Sequence, residues 1–189
     1  MARTSAFAAL AAVLLLAAGA AAQDFPTFFE ALGATPNTNY GREIVQTLKL
    51  EPTLSNPKLA LTIFMPEDQY FDALAAKLGV TPRAMNKNVA LMKQVLFYHF
   101  VTGTNGAKQV FAAADLKPGM KLDTMYVSTS TKKPYQIMVV KGEDGNTQIK
   151  SVGTTASIVK PDLHCGAGVA HIINNVLSPM TLDQIPRAL

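Results

Sequence analysis

The chemistry-bearing residues of this 189-residue chain are few: three histidines, one cysteine and a modest set of carboxylates. His99 lies inside "KQVLFYHFV", the most aromatic stretch, between Phe97, Tyr98 and Phe100. A titratable ring there has three readings: a catalytic base, a metal ligand, or an internal hydrogen-bonded strut. His164, Cys165 and His171 form the nearest thing to a metal cluster. His164 and Cys165 are adjacent, however, and neighbours on a strand point to opposite faces. A zinc site needs a further ligand or a clear open position, and the spacing supplies neither. Glu67 and Asp68 are paired carboxylates at a predicted helix start, where negative charge complements exposed amides, so capping outranks acid–base work. No G-x-S-x-G, H-E-x-x-H, P-loop or G-x-G-x-x-G occurs. A lone histidine in an apolar run reads best as a core residue with both ring nitrogens satisfied. These residues predict no enzyme and no metal.

The elements that must position them change character along the chain. "DFPTFFEAL" predicts a short helix with Phe25, Phe28 and Leu32 on one side, and "YGREIVQTLKL" a second with Ile44, Val45 and Leu48 buried. "EPTLSNPK" reads as a loop and "LALTIFM" as a buried strand. "PEDQYFDALAAKLG" predicts a helix ended by Gly79, and Thr81-Pro82 opens another. "VALMKQVLFYHFV" continues as helix and turns into strand near Tyr98. From about residue 118 the period becomes two. "YQIMVV" and "TQIKSV" flank a hairpin at Asp144-Gly145, and "TASIVKPDL" and "GVAHIINNVLSP" are further strands. Helices precede strands without βαβ alternation, which predicts an α+β fold with a mostly antiparallel sheet.

Residues 1–22 carry one early Arg3, the apolar run "AFAALAAVLLLAAGA" and a small-residue exit at Ala20 and Ala22. This predicts a signal peptide that is removed, and a secreted single domain over 23–189 with its core at about 24–182. Removing 1–22 from the 189 residues leaves 167, enough for a core without staples. Of the 17 basic residues only Arg3 is lost, leaving 16 against 13 acidic, a net charge of +3. That mild excess reads first as a solvated face, with weak attraction to an acidic polysaccharide or an anionic surface as the sharper reading. No aromatic-interleaved basic stripe points to nucleic acid. Neither a transmembrane span nor a glycolipid-anchor tail is expected. Cys165 has no intrachain partner; it reads as a small buried hydrophobe, with a dimer through its thiol as the alternative.

Three stretches in this order resemble the fasciclin-type (FAS1) domain family. "LTIFMPEDQYF" is similar to the pattern T-x-F-x-P-x-D-x-x-F through Thr62, Phe64, Pro66, Asp68 and Phe71. "VLFYHFV" resembles the central Tyr-His motif through Tyr98 and His99. "GVAHIINNVLSP" is similar to V-H-x-I-x-x-V-L-x-P through His171, Ile173, Val176, Leu177 and Pro179. The chain departs at "HCGAG", where the family often has Asn-Gly, and at Met65, Glu67 and Ala170. The resemblance implies N-terminal helices packed on a β-sandwich or wedge. It implies that Tyr98 and His99 are mainly structural, at the junction of helices and sheet.

It also implies a secreted, non-enzymatic module in cell adhesion, binding an extracellular-matrix or cell-wall component. The alternative is a water-soluble carrier of a carotenoid or other apolar ligand in a cleft between helices and sheet. Methionine suits such walls, and Met92, Met120 and Met125, with Gln46 and Leu50, are the expected lining. Met85 and Met138 are further candidates.

Overall fold

The computed structural model describes residues 23–185. The predicted leader lies outside them. The order is β1 (Gln23–Phe25), α1 (Phe28–Ala34), α2 (Asn39–Thr47), α3 (Glu51–Leu54), β2 (Thr62–Pro66), α4 (Asp68–Leu78), α5 (Pro82–Lys87) and α6 (Val89–His99). Strands then dominate: β3 (Phe100–Thr104), β4 (Ala107–Lys108), β5 (Lys121–Val127), β6 (Pro134–Lys141), β7 (Thr147–Lys150), β8 (Thr155–Cys165) and β9 (Gly168–Ile173). The fold is α+β, as its helix-then-strand order predicts.

All nine strands share one mixed sheet in the order β1-β8-β7-β6-β5-β3-β2-β9, with β4 on β3. Because β9 pairs with β8 as well as β2, the sheet folds back and closes on itself. Most pairings are antiparallel; β1–β8 and β2–β9 are parallel. Every residue of β2 and β9 is buried. Strands covered on both faces read as continuous apolar runs rather than alternating ones, and "TIFMP" and "GVAHII" do so. Ile63, Met65, Ala170 and Ile172 face a core shared with α1 to α3, while Phe64 and Ile173 face the core of the sheet. A third core packs α4, α5 and α6 around Phe71, Leu74, Met85, Met92 and Val95.

Two local expectations change. Phe25 belongs to β1, not to the first helix, because Pro26 and the Thr27 cap delay α1 to Phe28. "EPTL" is a one-turn helix rather than loop, with a proline in its first turn where the missing N–H costs nothing. The imperfect alternation of "MKLDTMYV" reflects a register shift in β5 between Asp123 and Val127, which buries Leu122, Asp123 and Thr124 in succession. Thr81 Oγ1 accepts the Ala84 N–H to start α5, and Gly79 ends α4 at φ 72°.

Candidate functional site

His99 closes α6 and is 2% exposed. Its Nε2 accepts the Leu177 N–H at 2.9 Å, so the ring proton sits on Nδ1. Nδ1–H donates to the Val95 carbonyl at 2.7 Å, one turn back in the same helix. The ring thereby bonds back to its own helix and ties that helix to the segment after β9. Burial pushes its pKa down to about 4, against the Val95 carbonyl, which favours the charged form.

His171 uses the opposite tautomer. Nδ1 accepts the Asp162 N–H at 3.1 Å, and Nε2–H donates to the Phe111 carbonyl at 3.1 Å. Asp162 stands at φ +57° inside β8, where the register to β9 shifts between Lys160 and Leu163. A non-glycine residue in the left-handed region costs free energy and needs support. His171 supplies it from one side, and Ala113 N–H, donating to Asp162 Oδ1 at 2.8 Å, from the other. Burial lowers the His171 pKa, outweighing the Phe111 carbonyl and Asp162. Both histidines are therefore neutral at pH 7, with both ring nitrogens engaged. Asp162 is the residue that motif reading misses. Its signal is Pro161, since proline inside a strand marks an edge or a bulge.

Thr62, Phe64 and His171 meet around β2, and the remaining motif residues lie in the neighbouring cores. Thr62 Oγ1 accepts the Phe111 N–H at 2.8 Å, so the 111 segment is held by Thr62 and His171 at once. Phe64 packs its ring 5.6 Å from that of His171, and Ile173 lies in the same core. Tyr98 is fully buried, meets Tyr126 edge-on, and donates from its hydroxyl to the Gln136 carbonyl. Pro66 ends β2, Phe71 packs against Tyr40, and half-buried Pro179 follows the segment held by His99.

Asp68 caps a helix, but not its own. Its carboxylate accepts Asn39 N–H at 3.1 Å, Asn39 Nδ2 at 2.9 Å and Tyr40 N–H at 2.8 Å, closing the N-terminus of α2. The Asp68 N–H in turn donates to the Asn37 carbonyl. The expectation of a local cap is corrected to a link between helices 28 residues apart.

The model of the Fasciclin domain matches residues 36–179, the span that carries all three stretches. The chain belongs to the fasciclin domain family. Transforming growth factor-beta-induced protein ig-h3 from Sus scrofa is 28% identical over 153 residues, 81% of this chain and 20% of that protein. Its counterpart from Oryctolagus cuniculus is 28% identical over 164 residues, 85% and 21% respectively. The chain thus spans about a fifth of these relatives. The FAS1 domain pair of the insect cell adhesion molecule Fasciclin I shares the fold, with a TM-score of 0.66 at 18% identity. That match covers 82% of this chain and 51% of that one.

The departure at "HCGAG" is the β8–β9 turn of this fasciclin domain. Gly166, at φ +61°, donates its N–H to the Phe25 carbonyl, and Ala167 N–H donates to Pro57. A Cβ on Gly168 would run into the Phe28 ring and the Leu61 carbonyl. The glycines therefore let the turn nest against β1 and the loop before β2. Cys165 is 1% exposed beneath it; burial pushes its thiol up to about 12. A dimer through Cys165 requires this turn to open.

The five residues expected to line one apolar cleft are dispersed. Gln46 is exposed, Met92 is fully buried among the helices, and Met120 packs on the sheet core. Leu50 and Met125 border the first core. Of the five, Met125 lines a groove of about 350 Å³ between residues 56–61 and strands β3 to β5. The cavity between the helices and β2, beside His99, is about 30 Å³, room for one or two waters. Residue type marked the methionines as apolar packing groups, but not which of the three cores each would join.

Proposed function

We propose that this fasciclin domain is a secreted, non-enzymatic binding module that attaches to an acidic extracellular-matrix or cell-wall polysaccharide. The observation that carries the reading is membership of a family whose solved neighbour belongs to an insect cell adhesion molecule. Two features of the molecule support it. His99 and His171 have both ring nitrogens committed to backbone groups, which leaves neither free to move a proton for a substrate. Among the described residues no Lys or Arg pairs with a carboxylate, so the basic excess is free to meet an anionic polymer.

The test has two arms. The full chain, expressed with residues 1–22, is expected in the culture medium, shortened at its N-terminus. The purified protein is then incubated with insoluble polygalacturonate and with neutral cellulose at low and high salt. Retention on the acidic polymer alone, released by salt, is the expected result. A chain that stays in the cell, or one equally unbound by both polymers, overturns the proposal.

A further inference from the structure

The groove beside Met125 is independent of the polysaccharide reading and has its own chemistry. Leu59, Leu61 and Met125 line it with apolar side chains, and exposed Lys58 and Lys108 line it as well. Its volume, about 350 Å³, falls in the range of small-ligand sites, which are mainly apolar with a few polar groups. Both lysines are exposed, and neither has a carboxylate partner among the described residues.

The walls are preformed. Lys58 N–H donates to Asn56 Oδ1 at 3.0 Å, and Leu59 N–H to the Asn56 carbonyl at 3.1 Å. Pro57 is held from below by Ala167 N–H at 2.8 Å. On the opposite wall Lys108 is paired with Gly103 across β3–β4, and Gln109 N–H donates to the Thr102 carbonyl. The Thr102 hydroxyl is spent on the Asp123 carbonyl. Two cationic groups in a fixed apolar trough match one kind of occupant, an acyl chain with an anionic head. A neutral apolar ligand leaves the lysines unused, and a polyanion leaves the apolar side chains unused.

We infer that this groove binds a monomeric long-chain carboxylate, with the chain along Leu59, Leu61 and Met125 and the carboxylate at Lys58 and Lys108. Fixed walls lower the ordering cost of binding, and the head group forms charge-assisted hydrogen bonds.

The experiment is calorimetric titration of the protein with palmitate, below its micellar concentration, and with hexadecanol. Saturable palmitate binding is expected, with hexadecanol at least about tenfold weaker, the factor for losing a hydrogen bond to a charged group. Lys58→Gln with Lys108→Gln brings palmitate down to the hexadecanol level, while thermal unfolding stays unchanged because both side chains are exposed. Met125→Trp, which fills the trough, abolishes binding of both. No saturable palmitate binding, equal affinity for hexadecanol, or full affinity in the double lysine variant each overturns the assignment. So does partition onto phosphatidylglycerol vesicles without binding of free palmitate, which would make the surface a membrane contact.

Discussion

His99 is held at both ends of its ring, and this makes its protonation a stability matter. The unfolded chain binds a proton near pH 6.5, the folded one only near 4. Between those values the unfolded state carries more protons, so stability rises with pH. The contribution is complete above about pH 6.5 and is lost as pH falls towards 4, a loss of about 3 kcal/mol from this residue. His171 acts in the same direction. Urea unfolding at pH 7 and pH 4 measures it, and an unchanged midpoint would refute the two-ended strut. At pH 7, His99→Ala is expected to cost roughly 1–3 kcal/mol by orphaning the Leu177 N–H, losing the bond to the Val95 carbonyl and leaving a cavity. Asp68→Ala removes three hydrogen bonds at the start of α2 and is expected to cost about 1 kcal/mol, read by thermal unfolding.

Among the elements, β8 and β9 do the most to assemble the fold. β8 takes β7 and then β1 along one edge and β9 along the other, and it bends at Asp162 to do so. The turn that follows has no spare volume. Gly168→Ala is expected to destabilise by about 1–3 kcal/mol, because the added Cβ must displace Phe28 or the Leu61 carbonyl. Gly145→Ala, in the β6–β7 hairpin, strains only a solvent-exposed turn at φ +81° and is expected to cost less. Comparing the two midpoints under one denaturant separates packing from turn geometry. A larger cost at Gly145 would show that the β8–β9 turn is looser than its contacts indicate.

Across the whole molecule, β2 and β9 divide their faces between two of the three cores and α6 reaches all three, so opening one exposes the others. Cys165 reports on that coupling. A thiol reagent is expected to label it only under conditions that unfold the domain, and non-reducing electrophoresis of the native protein should show monomer. Rapid native labelling would mean that the β8–β9 turn opens on its own and would restore the dimer reading.

The sequence by itself determined the fold class, the buried run of β2, a strand at β9, the hairpin at Asp144-Gly145, and the family, through motif residues at Thr62, His99 and His171. These are legible because periodicity, turn chemistry and motif spacing are local properties of the chain. Only the tertiary structure decided what the motif residues hold. Asp68 closes α2 instead of α4, His171 supports a left-handed Asp162, and Thr62 and His171 grip the same short segment. The methionines were divided among separate cores by the closure of the sheet, which no residue spacing records. The physical reason is common to all of these. Hydrogen-bond partners tens of residues apart are chosen by how strands and helices dock, and docking is a property of the assembled cores.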